Sequence, residues 1–289
     1  MLAGKKTFDE VDFKWIFARI CEGTEQIRKF TIESKERNIP AAMYDILDLH
    51  THTTASGHAY NSLCEMVRAA AEAGLTLFGC SDHTPAMPGS CEAFHFINFK
   101  VIPRELFGVK VLMGAELNIM DFEGTVDLPP DYLERLDYCI ASLHPPCIES
   151  GTREQNTAAY IHALENPYIH IIGHPDDSRY PVDYEALVSA AKRNHKLLEM
   201  NNSSLNPRGF RPGAPENYRV MLELCRRYEQ PVIIDSDAHF CTDVGNHRYA
   251  HALLQELNFP EELVVNTSLD KLAPYLPKLA ALMAGGWQE

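Results

Sequence analysis

His50 and His52 stand one residue apart at the end of the apolar run Leu47-Asp48-Leu49. On a β-strand alternate side chains share a face, so the two imidazoles lie on one side, roughly 6.5–7 Å apart along the strand, where they can grip one metal ion. A lone His-x-His more often does no more than end a strand. Here His58, His83, Glu116, His144, His174, Asp237 and His239 also fall at or just after the ends of apolar runs, so nitrogen and oxygen donors keep arriving at what reads as one rim. Imidazole and carboxylate without thiolate suit zinc, manganese or iron at catalytic sites, where a coordination position stays open for water or substrate. Closely spaced ions of this kind bind phosphate oxygens, acidify a water into a nucleophile and stabilise a leaving oxygen.

The elements that would deliver these donors alternate from residue 44 onwards. Apolar runs at 46–50, 77–81, 109–115, 138–142, 169–172, 197–200 and 232–234 read as seven strands, each nearly continuous in apolar residues, as expected where both faces are covered. Between them lie helical stretches at 62–73, 157–164, 184–194 and 216–228. Ser62 and Glu65 form a capping-box pattern, and Gly74 follows as a stop. The economical architecture is an α/β fold, a seven-stranded (β/α) barrel with its functional residues at the C-terminal ends of the strands. Residues 1–43 read differently: Phe13, Ile16, Ile20, Ile27 and Phe30 have near-helical spacing, interrupted by Gly23 and closed by Ile39-Pro40. This predicts one or two amphipathic helices, an N-terminal helical extension to a single catalytic domain over 44–289.

Composition narrows the function classes. At 289 residues, 45 % hydrophobic and 23 % charged, the chain can bury a large core. It has no apolar stretch long enough for a membrane span and no apolar signal region behind Met1 to Lys6, so the expectation is a cytoplasmic protein without a membrane partner. The eight cysteines are scattered without a Cys-x-x-Cys pair, which suits buried reduced thiols. A net charge of −14 opposes binding to nucleic acid, although divalent ions in a site reverse the local sign and can attract a small phosphate.

The motifs His50-Thr51-His52, Ala55-Ser56-Gly57-His58-Ala59-Tyr60, Ser81-Asp82-His83, Gly114-Ala115-Glu116, Leu143-His144, Gly173-His174-Pro175 and Asp235-Ser236-Asp237-Ala238-His239 together resemble those of the PHP (polymerase and histidinol phosphatase) superfamily. The Ala-Ser-Gly-His-Ala-Tyr stretch and Glu199-Met200-Asn201-Asn202-Ser203-Ser204 resemble most closely its stand-alone bacterial phosphatases, the YcdX-like branch. The match runs from about residue 45 to about residue 270. The resemblance implies a distorted (β/α)7 TIM-like barrel of the PHP fold. It also implies three divalent metals, usually zinc with manganese or iron as alternatives. Carried over position by position, His50, His52, Glu116 and Asp237 would hold the first metal. Glu116 would bridge to a second, held also by His144 and His174. His58, His83 and His239 would hold the third.

Around these donors, Asp48, Asp82 and Asp235 are candidates to orient ligand imidazoles, Asp48 being equally readable as a strand carboxylate turned to a loop. Arg179 and Arg153 are the loop cations best placed for phosphate oxygens, with a solvated role as the alternative. His95 lies in the loop after the second strand, where it could touch substrate. His162, His195, His247 and His251 read as surface residues and His170 as structural. Asp176-Asp177 is an acidic pair that would weaken anion binding unless it is turned away or paired with Arg179.

The leading reading is therefore a metal-dependent phosphoric monoester hydrolase that acts on a small phosphorylated metabolite through a trinuclear site and a metal-bound hydroxide. A phosphodiesterase or exonuclease of the same superfamily is the enzymatic alternative, lowered by the acidic charge and the lack of a basic or aromatic strand-binding track. A non-catalytic metal-binding regulatory protein is the other. The substrate is the expected partner, nucleic acid is disfavoured and a homo-oligomer stays open.

Overall fold

The computed structural model describes residues 45–287, so the helices expected within residues 1–43 lie outside the described residues. Short, fully buried runs such as Leu77-Phe78-Gly79-Cys80 and Cys139-Ile140-Ala141-Ser142 become strands because covered apolar positions favour parallel pairing. In chain order the strands are β1 (Leu47–Asp48), β2 (Leu77–Cys80), β3 (Glu105–Leu106), β4 (Val109–Met113), β5 (Ala115–Asn118), β6 (Cys139–Ser142), β7 (Ile171–Ile172), β8 (Leu197–Asn201) and β9 (Val232–Asp235). All are parallel to their neighbours except β3, a short antiparallel partner of β4.

The two sheets, β1-β2-β4-β3 and β5-β6-β7-β8-β9, are parts of one cylinder. Cys80 pairs with Met113, and the bridge from His83 to Glu116 keeps the same register, so β4 and β5 are one stave interrupted at Gly114. A side chain at Gly114 is impossible: its Cβ would lie 2.6 Å from ring carbons of Tyr138 and 2.7 Å from the Tyr138 carbonyl oxygen. The buried Tyr138 hydroxyl donates to the Leu49 carbonyl across the interior. The ring closes where Thr51 bridges Ala238 and the His52 N–H donates to the Ala238 carbonyl at 2.9 Å. The result is an α/β, TIM-like barrel of seven parallel staves, as the sequence predicts.

Helices cover the outside. Leu63–Ala73 starts at the expected capping box of Ser62 and Glu65 and ends at Gly74, whose φ of 83° suits a residue without Cβ. Tyr184–Asn194 has the expected limits. Arg153–Glu165 begins four residues earlier than expected because Thr152 and Gln155 form a second capping box. Ala214–Tyr228 begins two earlier, with Pro215 in its first turn. Among the described residues no helix is long and apolar enough to cross a membrane, and the seven described cysteines are all free.

The barrel interior explains where the donors come from. Leu112, Ile140, Ile171, Leu197 and Ile233, one from each of five staves, pack in one buried cluster with Leu272, Leu276 and Leu279. Two and four residues further along the same strand faces stand Gly114 and Glu116, Ser142 and His144, Gly173, Glu199 and Asn201, and Asp235 and Asp237. The period of two carries each interior line from an apolar floor to a polar mouth.

Candidate metal centre

Glu116, buried on β5, is the hub. Its Oε2 lies 3.2 Å from His50 Nε2, 3.5 Å from His52 Nε2 and 2.9 Å from His83 Nδ1. Its Oε1 lies 3.1 Å from His144 Nε2 and 2.8 Å from His174 Nε2, and accepts the Ser142 hydroxyl at 2.7 Å. Asp237 faces the same space from β9's end: Oδ1 is 3.7 Å from His50 Nε2, 3.3 Å from His52 Nε2 and 3.4 Å from His239 Nδ1. The His58 ring stacks 5.0 Å from His83 and 4.7 Å from His239, centroid to centroid. All nine side chains singled out in the sequence thus meet in one cluster, with His50, His52 and Glu116 at its buried base. His174 and Asp237 do so with φ of 29° and 55°, left-handed conformations that non-glycine residues adopt at a cost of about 1–3 kcal/mol.

Whether these residues fit divalent ions can be judged from the atoms left over. His50 Nε2, His52 Nε2, His83 Nδ1 and Glu116 Oε2 are buried and have no hydrogen-bond partner. Four polar atoms without partners, turned towards one another, are costly unless a cation fills the space between them. The far side of each ring is already engaged. His50 Nδ1 donates to Glu199 Oε1 at 2.6 Å, and His144 Nδ1 donates to Asn118 Oδ1 at 2.8 Å. His52 Nδ1 donates at 3.0 Å to the Ser56 hydroxyl, which in turn donates to Asp82 Oδ1 at 2.7 Å. These bonds fix the tautomer that leaves the Nε2 lone pairs of His50, His52 and His144 facing Glu116 and Asp237, the arrangement metal-binding histidines use.

Burial would lower the His50 imidazole, but Glu199, Glu116 and Asp237 raise it well above its usual range, a mark of the negative charge gathered at this point. Burial would raise the Glu116 and Asp237 carboxyls, but the surrounding imidazoles, His50 foremost, hold both well below the usual carboxylate range, with Arg211 helping at Asp237. Burial likewise pushes Asp82 up, and His95, His52, Ser56 and the Thr53 N–H outweigh it, so Asp82 stays ionised. The His52 imidazole is driven well down by burial and by the charges of His239 and His83, which keeps its nitrogen free to coordinate.

Several expectations are corrected by position. Arg153 is outside the pocket: its Nε donates to the Val182 carbonyl at 3.2 Å and its guanidinium lies 3.6 Å from Asp183 on the barrel's outer face. His95 does not line the pocket either; its Nε2 sits 3.7 Å from Asp82 Oδ2, behind the Ser56–His52 pair. Arg179 does line the pocket, but its guanidinium is forked onto Asp177, with Nε–O distances of 3.0 and 2.8 Å. That pairing also resolves the acidic pair, since Asp176 turns inward, accepting the Ser204 hydroxyl at 3.3 Å. Asp48 and Asp235 touch no donor imidazole at hydrogen-bond distance. Asp48 accepts the Ser236 and Gly245 N–H groups and Asp235 accepts that of Leu49, so both tie β1 to the segment around β9.

His247 and His251 are not free surface residues, since both lie 2.7 Å from Asp45 Oδ2, a hydrogen-bond length, and His247 is buried. His170 is structural as expected, accepting the Cys139 N–H at 3.1 Å while burial pushes its pKa down to about 3.

Two residues carry more than their sequence positions suggested. Glu199 was visible only as part of a motif, yet its two oxygens hold His50 Nδ1 and the His174 N–H, both at 2.6 Å. A charged residue inside the apolar run 197–200 was the available signal. Arg211 is buried in the loop after β8 and directs both terminal nitrogens at Asp237 Oδ2, each at 3.1 Å. Nothing in its loop context marks it.

Comparison with known proteins agrees with this geometry. The PHP domain family matches residues 48–206. A probable phosphatase of Caldicellulosiruptor bescii is 46 % identical over 234 residues, covering 81 % of this chain and 96 % of that protein. A probable phosphatase of Clostridium novyi is 43 % identical over 231 residues, covering 80 % and 94 %. The chain belongs to the PHP-domain family. The fold is similar to that of the Lactococcus lactis histidinol phosphate phosphatase, whose crystal structure is a complex with zinc, L-histidinol and phosphate, at a TM-score of 0.52 and 18 % identity, covering 75 % of this chain and 95 % of that one.

Proposed function

We propose that this chain is a metal-dependent phosphoric monoester hydrolase acting on a small phosphorylated metabolite, with residues 44–289 as its catalytic unit. The observation that carries the reading is Glu116, whose two oxygens face separate sets of imidazoles: His50, His52 and His83 on one side, His144 and His174 on the other. That geometry supports a bridging carboxylate between two divalent ions. His50, His52, Glu116 and Asp237 would hold the first, Glu116, His144 and His174 the second, and His58, His83 and His239 a third. The nitrogen-and-oxygen donor set supports zinc first, with manganese or iron as alternatives. The names of the phosphatase relatives and the zinc and phosphate of the Lactococcus structure support the same chemistry.

Bound divalent ions would supply Lewis acidity, gripping phosphate oxygens, acidifying a water and stabilising the departing alkoxide. The protein's own part is positional. Glu199 holds the His50 ring and the His174 backbone in register, and Asp82 does the same for His52 through Ser56. Arg211 fixes the Asp237 carboxylate and adds positive charge beside the pocket. By formal count, three divalent ions against Glu116 and Asp237 with neutral histidines leave the cluster positive, which suits a phosphate dianion.

The test is hydrolysis of p-nitrophenyl phosphate by the metal-replete protein, by the chelated protein and by His83→Ala. Activity that vanishes on chelation, returns with zinc or manganese and is crippled in His83→Ala is expected. Full activity after complete metal removal ends the reading.

A further inference from the structure

The pocket in front of the donor cluster has a cavity volume of about 510 Å³, room for a phosphoryl group with an alcohol of moderate size attached. Beside the donors, its wall holds the charged Asp177, Arg179 and Arg211 and an apolar set, Met87, Leu143, Pro145, Pro146 and Phe210. Met87 and Leu143 are buried, whereas Pro145, Pro146 and Phe210 are exposed and form the mouth. No side chain in this set donates or accepts a hydrogen bond, and the two consecutive prolines also lack a backbone N–H.

The charged residues of the wall are paired, Arg179 with Asp177 and the buried Arg211 with Asp237. Asp177 is forked by Arg179, and Arg211 is committed to Asp237, Asn201 and Ser204. Both guanidinium groups also lie over the Phe210 ring, at 5.8 Å for Arg179 and 4.9 Å for Arg211, which holds the aromatic face at the entrance.

We infer that the alcohol released by this site is uncharged and largely apolar, a compact ring or short hydrocarbon alcohol, and that the pocket selects against polyol and ammonium-bearing esters. The inference rests on the phosphatase reading and adds the substrate class. A polyol would bring hydroxyls against the buried Met87 and Leu143 and leave them without partners, losing their water for nothing in return. An ammonium-bearing alcohol needs a free carboxylate at the mouth, and Asp177 is neutralised by Arg179. A planar or hydrocarbon group loses nothing by desolvation and stacks on Phe210.

The experiment compares kcat/KM of the metal-replete enzyme for benzyl phosphate, butyl phosphate, glycerol phosphate and phosphoethanolamine. Benzyl and butyl phosphate are expected to exceed the other two by about tenfold to a hundredfold, the range over which a pocket discriminates by one or two unmatched groups. Phe210→Ser should cut the preference for benzyl over glycerol phosphate several-fold. Arg179→Ala frees the Asp177 carboxylate, so the phosphoethanolamine to benzyl phosphate ratio should rise, a change that general loss of structure would not produce. Glycerol phosphate or phosphoethanolamine turned over as fast as benzyl phosphate overturns the inference while leaving the phosphatase reading intact. So does an unchanged ester ratio in both variants. Hydrolysis of none of the four esters by metal-replete enzyme overturns the phosphatase reading and this inference with it.

Discussion

Glu199 joins two donors that come from different strands: Oε1 accepts His50 Nδ1–H and Oε2 accepts the backbone N–H of His174, each at 2.6 Å. One buried carboxylate thus sets the ring orientation of a residue after β1 and the backbone of a residue after β7, where φ is 29°. Glu199→Gln keeps the size but replaces one acceptor by a donor. It should lower metal affinity or activity by about 10–100-fold, the usual effect of losing a partner behind a ligand histidine. Metal content after dialysis against a graded chelator series reads this directly; wild-type retention in Glu199→Gln would show that His50 does not depend on it.

Gly173 lies where a side chain would strike the site from behind. A Cβ there would fall 2.3 Å from Ser142 Oγ and 2.8 Å from Ile140 Cγ2, and Ser142 is the group that donates to Glu116 Oε1. Gly173→Ala should destabilise the fold by about 1–3 kcal/mol through overpacking. Because the displaced hydroxyl holds Glu116, metal binding should weaken as well. Urea denaturation and a metal titration on the same preparation measure the two effects; a loss of stability with unaltered metal affinity would separate Ser142 from the centre.

Metal removal should lower the melting temperature as well as abolish activity. Ions that bind only the folded chain stabilise it by about 2.7 kcal/mol at a hundredfold excess over Kd. For a domain of this size that corresponds to a fall of about 5–10 °C on chelation. Differential scanning calorimetry with and without chelator checks it, and coincident melts would contradict an ion-filled centre.

His247 makes stability depend on alkaline pH. Burial alone would depress its imidazole, but the hydrogen bond to Asp45 and the charges of Asp48 and Asp45 override this and lift its pKa to about 10. A raised folded-state value means the stabilisation is complete below the unfolded pKa of about 6.5 and is lost as pH climbs through the folded value. The melting temperature of wild type minus that of His247→Gln should therefore be largest near pH 6 and shrink towards pH 10. A difference constant over that range would mean that the ring is neutral throughout.

Much of this was legible from residue order because strand and helix periods are local. The nine donors sit at the ends of apolar runs, and the capping box at Ser62 and Glu65 announces its helix whatever the surroundings. His95 and Arg153 were misplaced for the opposite reason: being in a loop after a barrel strand says which end of the barrel a residue occupies, not which side of the loop faces the pocket. His247 read as polar surface because its partner, Asp45, is 202 residues away in the chain.

The sequence by itself determined the order of staves and which imidazoles and carboxylates stand at their ends, since those follow from periodicity and side-chain chemistry. Only the tertiary structure decided which atoms face which. The two-sided engagement of Glu116, the clamp of Glu199, the pairing of Arg179 with Asp177 and the burial of Arg211 all arise between segments brought together by closure of the barrel. Distances of a few ångströms across a cylinder are set by packing, and packing is a property of the whole chain at once.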